Sequence, residues 1–250
     1  CQEEEIFFTS GGTESDNTAI FGTAASGKRQ GNRIITTNVE HPAVLEAMKR
    51  LEEEGYDIVR VPVDADGGVS AEAIFDAVNE KTILISVMRV NNESGMVMPI
   101  PEIAARKEQY NREHGTGIPF HTDAVQAFGK MKMPAPGVDL VSVSAHKIHG
   151  PKGIGALYVR KGTRIRPYIV GGGQEHHFRS GTENVPAIAG FGTACQIAYG
   201  RLSERIARMT KVRNYLLRGI EEEIPDIRVN SIRDCAGSGE AGLCCPAVLN

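Results

Sequence analysis

The run Ser142-Val143-Ser144-Ala145-His146-Lys147-Ile148-His149-Gly150-Pro151-Lys152-Gly153 places a histidine and a lysine directly after a short apolar stretch. Residues 138–143 follow Pro136-Gly137 and predict a buried strand. Lys147 is therefore expected just beyond the end of that strand. Open α/β sheets bind their ligands at the carboxyl ends of their strands, so this lysine is a candidate functional residue.

Lys147 has one chemical interpretation and one plain alternative. A partly desolvated lysine amine held against a carbonyl group forms a Schiff base, and pyridoxal 5′-phosphate (PLP) supplies the usual carbonyl. The alternative is a surface lysine in a loop of glycine and proline. The run alone does not decide between the two, so the motifs on either side of it are needed.

An anion site is predicted near the start of the chain. Residues 6–9 predict a strand, residues 10–17 form a turn that contains Gly11 and Gly12, and residues 18–29 are compatible with a helix. A helix that begins after such a turn points free backbone N–H groups and a positive dipole end at an anion. Thr13 adds a hydroxyl that could also bind a phosphate. An ordinary glycine-rich turn is the alternative, and the other motifs are needed to decide between the two.

His41 lies where a strand, residues 33–37, gives way to a helix that begins near Pro42. A single histidine at such a corner often caps or packs the helix. Its other possible uses are stacking on a flat cofactor and proton transfer near neutral pH.

Two further strands end in polar residues. Residues 82–87 lead to Asn92, for which a simple turn is the alternative. Residues 118–122 lead to Asp123 and Gln126, which share a face if a helical turn starts there. An acid and an amide so placed could bind different edges of one planar ligand, although Asp123 could also be only a helix cap.

The chain alternates between short apolar strands and amphipathic helices, and this predicts an α/β fold with a mainly parallel sheet covered by helices on both faces. A helical pattern then runs from about 187 to 223 and ends before Pro225. We expect residues 1–200 to form one large domain, and 201–250 to supply a linking helix and the start of a second domain. Adjacent His176 and His177 lack an evident third ligand, so no metal site is predicted.

Composition narrows the functional classes. The net charge of −3 is spread along the 250 residues without a basic stripe, which argues against nucleic-acid binding. No apolar run reaches membrane-spanning length. The five cysteines form an odd set without zinc-ligand spacing, which argues against a disulfide framework and for a reducing, cytoplasmic compartment.

Six motifs in this order closely resemble those of the cysteine desulfurases, a group of class V, fold-type I PLP enzymes. The resemblance covers about residues 5 to 190. The motifs are Ser-Gly-Gly-Thr-Glu-Ser-Asp-Asn at 10–17, Glu-His-Pro-Ala-Val at 40–44, Val-Asn-Asn-Glu at 90–93, His-Thr-Asp-Ala-Val-Gln at 121–126, Ser-Ala-His-Lys-Ile-His-Gly-Pro-Lys-Gly at 144–153 and Arg-Ser-Gly-Thr-Glu-Asn at 179–184.

The resemblance implies a role for each candidate residue. Lys147 matches the lysine that binds PLP covalently and moves protons, Asp123 the carboxylate at the pyridine nitrogen, and His41 the histidine stacked on the ring. The remaining implied cofactor contacts are made by Gly12, Thr13, Asn92, Gln126, Ser144, His146 and Thr182. In the family Thr182 reaches across from a partner subunit, which predicts a homodimer.

The implied reaction removes sulfur from L-cysteine to give L-alanine and a protein-bound persulfide, for iron–sulfur cluster assembly or other sulfur transfer. Sulfur-acceptor or cluster scaffold proteins are the implied partners. Another class V PLP enzyme, such as a selenocysteine lyase or an aminotransferase, is the first alternative. A non-catalytic fragment that acts as a scaffold is the second.

Two departures from the family weigh on the activity. The family's sulfur-accepting cysteine lies in a Ser-Gly-Ser-Ala-Cys-like loop, which we expect after Asn250 together with the arginine for the substrate carboxylate. Residues 235–239 only resemble that loop scrambled, and they fall too early. We therefore expect this chain to be the large, PLP-binding domain of a desulfurase, truncated at both ends.

Overall fold

The structure is a computed structural model that describes residues 1–133, 136–233, 235 and 244–250. Within these residues, one sheet of seven strands forms the centre of the molecule. The strands in chain order are β1 (Ile6–Thr9), β2 (Arg33–Thr37), β3 (Asp57–Val61), β4 (Thr82–Ser86), β5 (Phe120–Asp123), β6 (Leu140–Ser144) and β7 (Gly155–Val159).

The spatial order of the strands is β1-β7-β6-β5-β4-β2-β3. Five neighbouring strands, β6, β5, β4, β2 and β3, pair in parallel, as the alternation of strands and helices predicts. The departure is at one edge, where β7 pairs antiparallel with both β6 and β1. Only residues 145–154 join β6 to β7, and a parallel return would need a longer crossover connection.

The helices agree with the predicted pattern in most positions. They are α1 (Gly12–Gly27), α2 (Pro42–Glu53), α3 (Ala71–Asp76), α4 (Ile100–His114), α5 (Val185–Gly200) and α6 (Leu202–Glu223). Ser70 caps α3, since its hydroxyl accepts a hydrogen bond from Ala73 N at 3.0 Å. Helix α1 begins six residues earlier than the sequence predicts, so the glycine turn itself supplies the first helical N–H groups.

One predicted helical feature differs in the structure. The long pattern from 187 to 223 is divided at Arg201, whose φ and ψ of −134° and 34° leave the helical region directly after Gly200. After Asp123, residues 125–130 form successive turns, and Phe128 N donates to Ala124 O at 2.8 Å. Within the described residues, no helix is both long and apolar enough to cross a membrane.

The core lies on both faces of the sheet. Every residue of β4 and β6 is buried, as expected for central strands that helices cover on two sides. The last described residues contact the rest of the molecule, because Cys245 N donates to Gly95 O at 2.7 Å.

The structure also pairs Cys235 with Cys244 as a disulfide, which the odd cysteine count did not lead us to expect. Residues 236–239, compared above with the nucleophile loop, lie outside the described part.

Candidate functional site

A cavity of about 330 Å³ opens at the carboxyl ends of β5 and β6, beside the start of α1. It is where the topology of an open α/β sheet places a ligand. Nine of the ten predicted site residues line it. Its lining consists of Gly12, Thr13, Asp16, His41, Met88, Asn92, Asp123, Val125, Gln126, Ser144, His146 and Lys147.

Lys147 lies in a single 3₁₀ turn, Ala145–Ile148, that follows β6 directly. The amine reaches the cavity from a half-buried position. Ser144 Oγ and His146 Nδ1, three residues before and one before the lysine, are 2.8 Å apart. Burial and the charge of Lys147 lower the pKa of His146. The turn therefore presents an amine, a hydroxyl and a neutral imidazole to one space.

Asp123 is the last residue of β5 and is buried at the base of the cavity. Its Oδ1 accepts a hydrogen bond from Val125 N at 2.8 Å. Burial raises the pKa of the carboxyl, while this hydrogen bond and the neighbouring His41 and Lys147 oppose the rise. The anion of Asp123 is thus supported by three separate groups that face it.

His41 both caps a helix and faces the cavity. Its Nδ1 accepts a hydrogen bond from Ala43 N at 3.1 Å at the start of α2. In a neutral imidazole the proton is then on Nε2, the nitrogen that is free to act in the cavity. The capping role and the functional role considered from the sequence are compatible in this geometry.

The glycine turn forms a close-fitting cradle at the start of α1. Gly11 has a φ of 154°, a conformation that side chains disfavour. A Cβ on Gly12 would lie 2.8 Å from Val125 Cγ2. Because the first N–H groups of α1 have no partners within the helix, this cradle is suited to a phosphate group.

Thr182 lies apart from the other predicted ligands. It is exposed and lines a separate cavity of about 180 Å³ together with Arg179 and Asn184. Arg179 joins that loop to α1, because its Nε and Nη2 atoms contact the two oxygens of Glu14 at 2.7 and 3.0 Å. Within one protomer the structure does not bring Thr182 into the cavity of Lys147.

Two buried acids were missed by the sequence reasoning. Asp16 lines the cavity, and Glu40 lies behind it, where its carboxyl accepts hydrogen bonds from the Thr37 hydroxyl and from Met88 N. Burial raises the pKa of Glu40 to about 8. Asp16 lies in the motif at 10–17 and Glu40 in the motif at 40–44, and these positions were the sequence signal that could have identified them. In the described part of the chain, no three histidine, cysteine or acidic residues form a metal-binding group.

The cavity fits PLP on its own chemistry. An anion cradle, an amine and a buried carboxylate line the same open cavity. In addition, Asp16 Oδ1 is buried at this cavity and has no hydrogen-bond partner in the described residues. A solved NifS-like protein superposes with a TM-score of 0.89 and 40% identity, over 98% of this chain and 64% of that one. The fold and the cavity thus define a fold-type I PLP protein.

A model of the family described as aminotransferase class V matches residues 1–239, and this chain belongs to that PLP-dependent family. The cysteine desulfurase IscS of Clostridium botulinum (strain Hall) is 46% identical over 236 residues. The match covers 94% of this chain and 58% of that protein, so the chain spans little more than half the length of this curated relative. A structure of SspA in complex with cysteine is 40% identical with a TM-score of 0.71, over 78% of this chain and 56% of that one.

Proposed function

We propose that the cavity binds PLP covalently through Lys147. When bound, PLP acts as an electron sink for negative charge at the substrate's α-carbon. Asp123 would hold the proton on the ring nitrogen, Gln126 would bind the phenolic oxygen, and His41 would stack on the ring. Asn92 would contact ring and substrate, and Gly12, Thr13, Ser144 and His146 would bind the phosphate. The observation that carries this proposal is the meeting of Lys147, Asp123 and the glycine cradle in one cavity.

We further propose that the whole protein is a cysteine desulfurase that acts on L-cysteine. The support is the names of its relatives and the cysteine complex of SspA. In this reaction the carbon–sulfur bond of cysteine breaks, a proton takes the place of sulfur on the carbon, and the sulfur bonds to a protein thiolate. The products are L-alanine and a persulfide, and His41 and Lys147 are the groups placed to move the protons.

The persulfide would supply iron–sulfur cluster assembly or another sulfur-transfer route through acceptor or scaffold proteins. The IscS name of the relative supports this only by analogy. A cytoplasmic location is proposed from the unpaired Cys1, Cys195 and Cys245, and the Cys235–Cys244 pair counts against it.

A homodimer is proposed from the position of Thr182. It lies in a cavity separate from that of Lys147 in its own protomer, and is exposed for contact with a second one. Residues 1–200 would form the large domain of each protomer, and 201–250 the linking helix and the start of a smaller one. On this proposal, Thr182→Val lowers PLP affinity although the residue is outside its own protomer's site.

The reaction class is tested by adding L-cysteine to the PLP-loaded protein and following the cofactor's absorbance and the products. The proposal expects L-cysteine to change the absorbance of the wild type but not of Lys147→Ala. Transfer of the amino group to a keto acid, without any loss of sulfur from cysteine, would identify an aminotransferase and contradict the proposal.

A further inference from the structure

Asp16 is a buried carboxyl to which the proposed function gives no role. It lies in the second turn of α1, its side chain is 2% exposed, and it lines the same cavity as Asp123 and Lys147. Its Oδ1 has no hydrogen-bond partner among the described residues. A charge on a carboxyl that is both buried and incompletely hydrogen-bonded is strongly unfavourable.

The groups that face Asp16 from the neighbouring elements do not compensate such a charge. His121 Nε2 on β5 lies 3.6 Å from Asp16 Oδ1, but burial lowers the pKa of His121 to about 3, so the imidazole is neutral and the contact is not an ion pair. Asp123 on β5 and Glu40 after β2 are acids that disfavour a second negative charge. The Ser142 hydroxyl on β6 is the group that favours the anion, through a hydrogen bond.

Asp16 and Asp123 therefore have different surroundings in one cavity. Burial raises the pKa of both carboxyls. Only Asp123 receives a backbone N–H, from Val125, and has His41 and Lys147 as neighbours that favour its anion. When two neighbouring carboxyls differ in this way, the supported one ionises and the other keeps its proton.

We propose that Asp16 is a neutral carboxylic acid in the working protein, and that it is a positioning residue which keeps Asp123 as the single anion available to the ring nitrogen of PLP. This inference rests on the proposed function. While Asp16 keeps its proton, the pyridinium faces one negative charge. Loss of that proton would place a second negative charge against Asp123 and would favour the protonated amine of Lys147, which cannot attack a carbonyl.

The first test uses the protein without PLP and so does not depend on the proposed function. The carboxyl carbons of aspartate are labelled with ¹³C, and the Asp16 signal is assigned by its loss in Asp16→Asn. The proposal expects the Asp16 carboxyl to be protonated at pH 7 and to ionise only at alkaline pH. An ionised Asp16 at pH 7 would overturn the inference and leave the PLP proposal standing.

The second test follows the absorbance of the PLP-loaded protein against pH. The amide of Asp16→Asn is neutral and of similar size, so PLP affinity at pH 7 should stay within about threefold of the wild type. The wild type should show an alkaline transition, from Asp16, that the variant lacks. A purely structural role would give the two proteins the same titration curve, and that result would overturn the inference.

A second variant keeps the test decisive if Asp16→Asn does not fold. Ser142→Ala removes the hydroxyl that favours the Asp16 anion. The alkaline transition should then move to higher pH, because the charged form of Asp16 has lost its hydrogen bond. An unmoved transition would show that Asp16 is not its source. A wild-type protein that takes up no PLP at Lys147 would contradict the proposed function, whereas the ¹³C titration would still decide the state of Asp16.

Discussion

At the scale of single residues, Asp123 sets the electronic character of the proposed site. Asp123→Asn leaves the cradle and Lys147 in place but removes the charge that holds a proton on the ring nitrogen. We expect exchange of the α-hydrogen of bound L-cysteine with solvent to slow by about a hundredfold or more, while PLP affinity falls much less. NMR in D₂O measures the exchange, and dialysis measures the affinity.

The exposed Asp76 offers a matched control for that substitution. Asp76→Asn on α3 should change neither the exchange rate nor the affinity. If Asp123→Asn lost PLP affinity and exchange to the same extent, Asp123 would be a structural residue and its proposed role would be wrong.

Glu40 gives a prediction about stability and pH. Because burial raises its pKa from 4.5 to about 8, the folded protein binds a proton that the unfolded chain has released between these values. The contribution of Glu40 to the free energy of unfolding therefore falls as the pH rises from about 4.5 to about 8. Glu40→Gln cannot titrate, so its stability relative to the wild type should increase over this range.

Urea unfolding at several pH values measures the difference for Glu40→Gln. The exposed Glu46 of α2 supplies the control, and Glu46→Gln should show no such trend. A difference between Glu40→Gln and the wild type that stays constant with pH would mean that Glu40 is ionised throughout.

The residues of the cavity were predictable to different degrees. Lys147, Asp123 and Asn92 follow apolar strands, and the carboxyl ends of parallel strands meet at one edge of a sheet, so their proximity follows from the pattern. Asp16 and Glu40 were not predicted, because an acid in a helix or a loop is ordinarily exposed. Their burial depends on the packing of α1 and α2 against the sheet, which the pattern does not contain.

At the scale of elements, the Arg179–Glu14 pair connects the loop of residues 171–184 to the start of α1. Two hydrogen bonds join the side chains, and that of Glu14 is only 9% exposed. Arg179→Ala leaves this carboxylate without its charged partner, so the free energy of unfolding should fall by about 1–3 kcal/mol. The loop that carries Thr182 should also be cleaved more readily by protease.

Arg50 and Glu54 form a comparable ion pair at the protein surface, where both side chains are at least half exposed to solvent. Arg50→Ala should cost about 0.5 kcal/mol or less, since solvent screens such pairs. Equal losses for Arg179→Ala and Arg50→Ala in urea unfolding would show that the loop is not held by its contact with Glu14.

The order of elements was predictable, and some of their bounds and directions were not. Strand β7 is antiparallel because the connection from β6, residues 145–154, is too short for a crossover helix. The pattern of apolar residues in this connection does not indicate the direction of the strand that follows it. The break at Arg201 interrupts a continuous helical pattern of apolar residues. Such local interruptions depend on how α5 and α6 pack, and propensity describes packing poorly.

At the scale of the whole molecule, none of the five cysteines lines the cavity, and all five are among the described residues. Cys235, Cys244 and Cys245 are buried, Cys195 is half-buried on α5, and Cys1 is exposed. Burial raises the pKa of Cys245, which disfavours its thiolate. We expect the PLP-loaded 250-residue chain to form no persulfide from L-cysteine on any of them.

Mass spectrometry of the intact protein under non-reducing conditions detects the added sulfur. A mock incubation with L-alanine gives the background. A persulfide on any of the five cysteines would refute this prediction, because it would show that a cysteine of this chain reaches the substrate.

Borohydride reduction tests whether the cavity at the end of β6 binds PLP through Lys147. The wild-type protein is mixed with PLP, reduced and digested, and the labelled peptide is identified by mass spectrometry, with Lys152→Ala as the control that should keep the label. Lys130 is the other lysine that could react with PLP, since burial and the nearby charge of Lys147 lower the pKa of its amine. We expect the label on Lys147 and its loss in Lys147→Ala. A label mainly on Lys130 or any other lysine would contradict it.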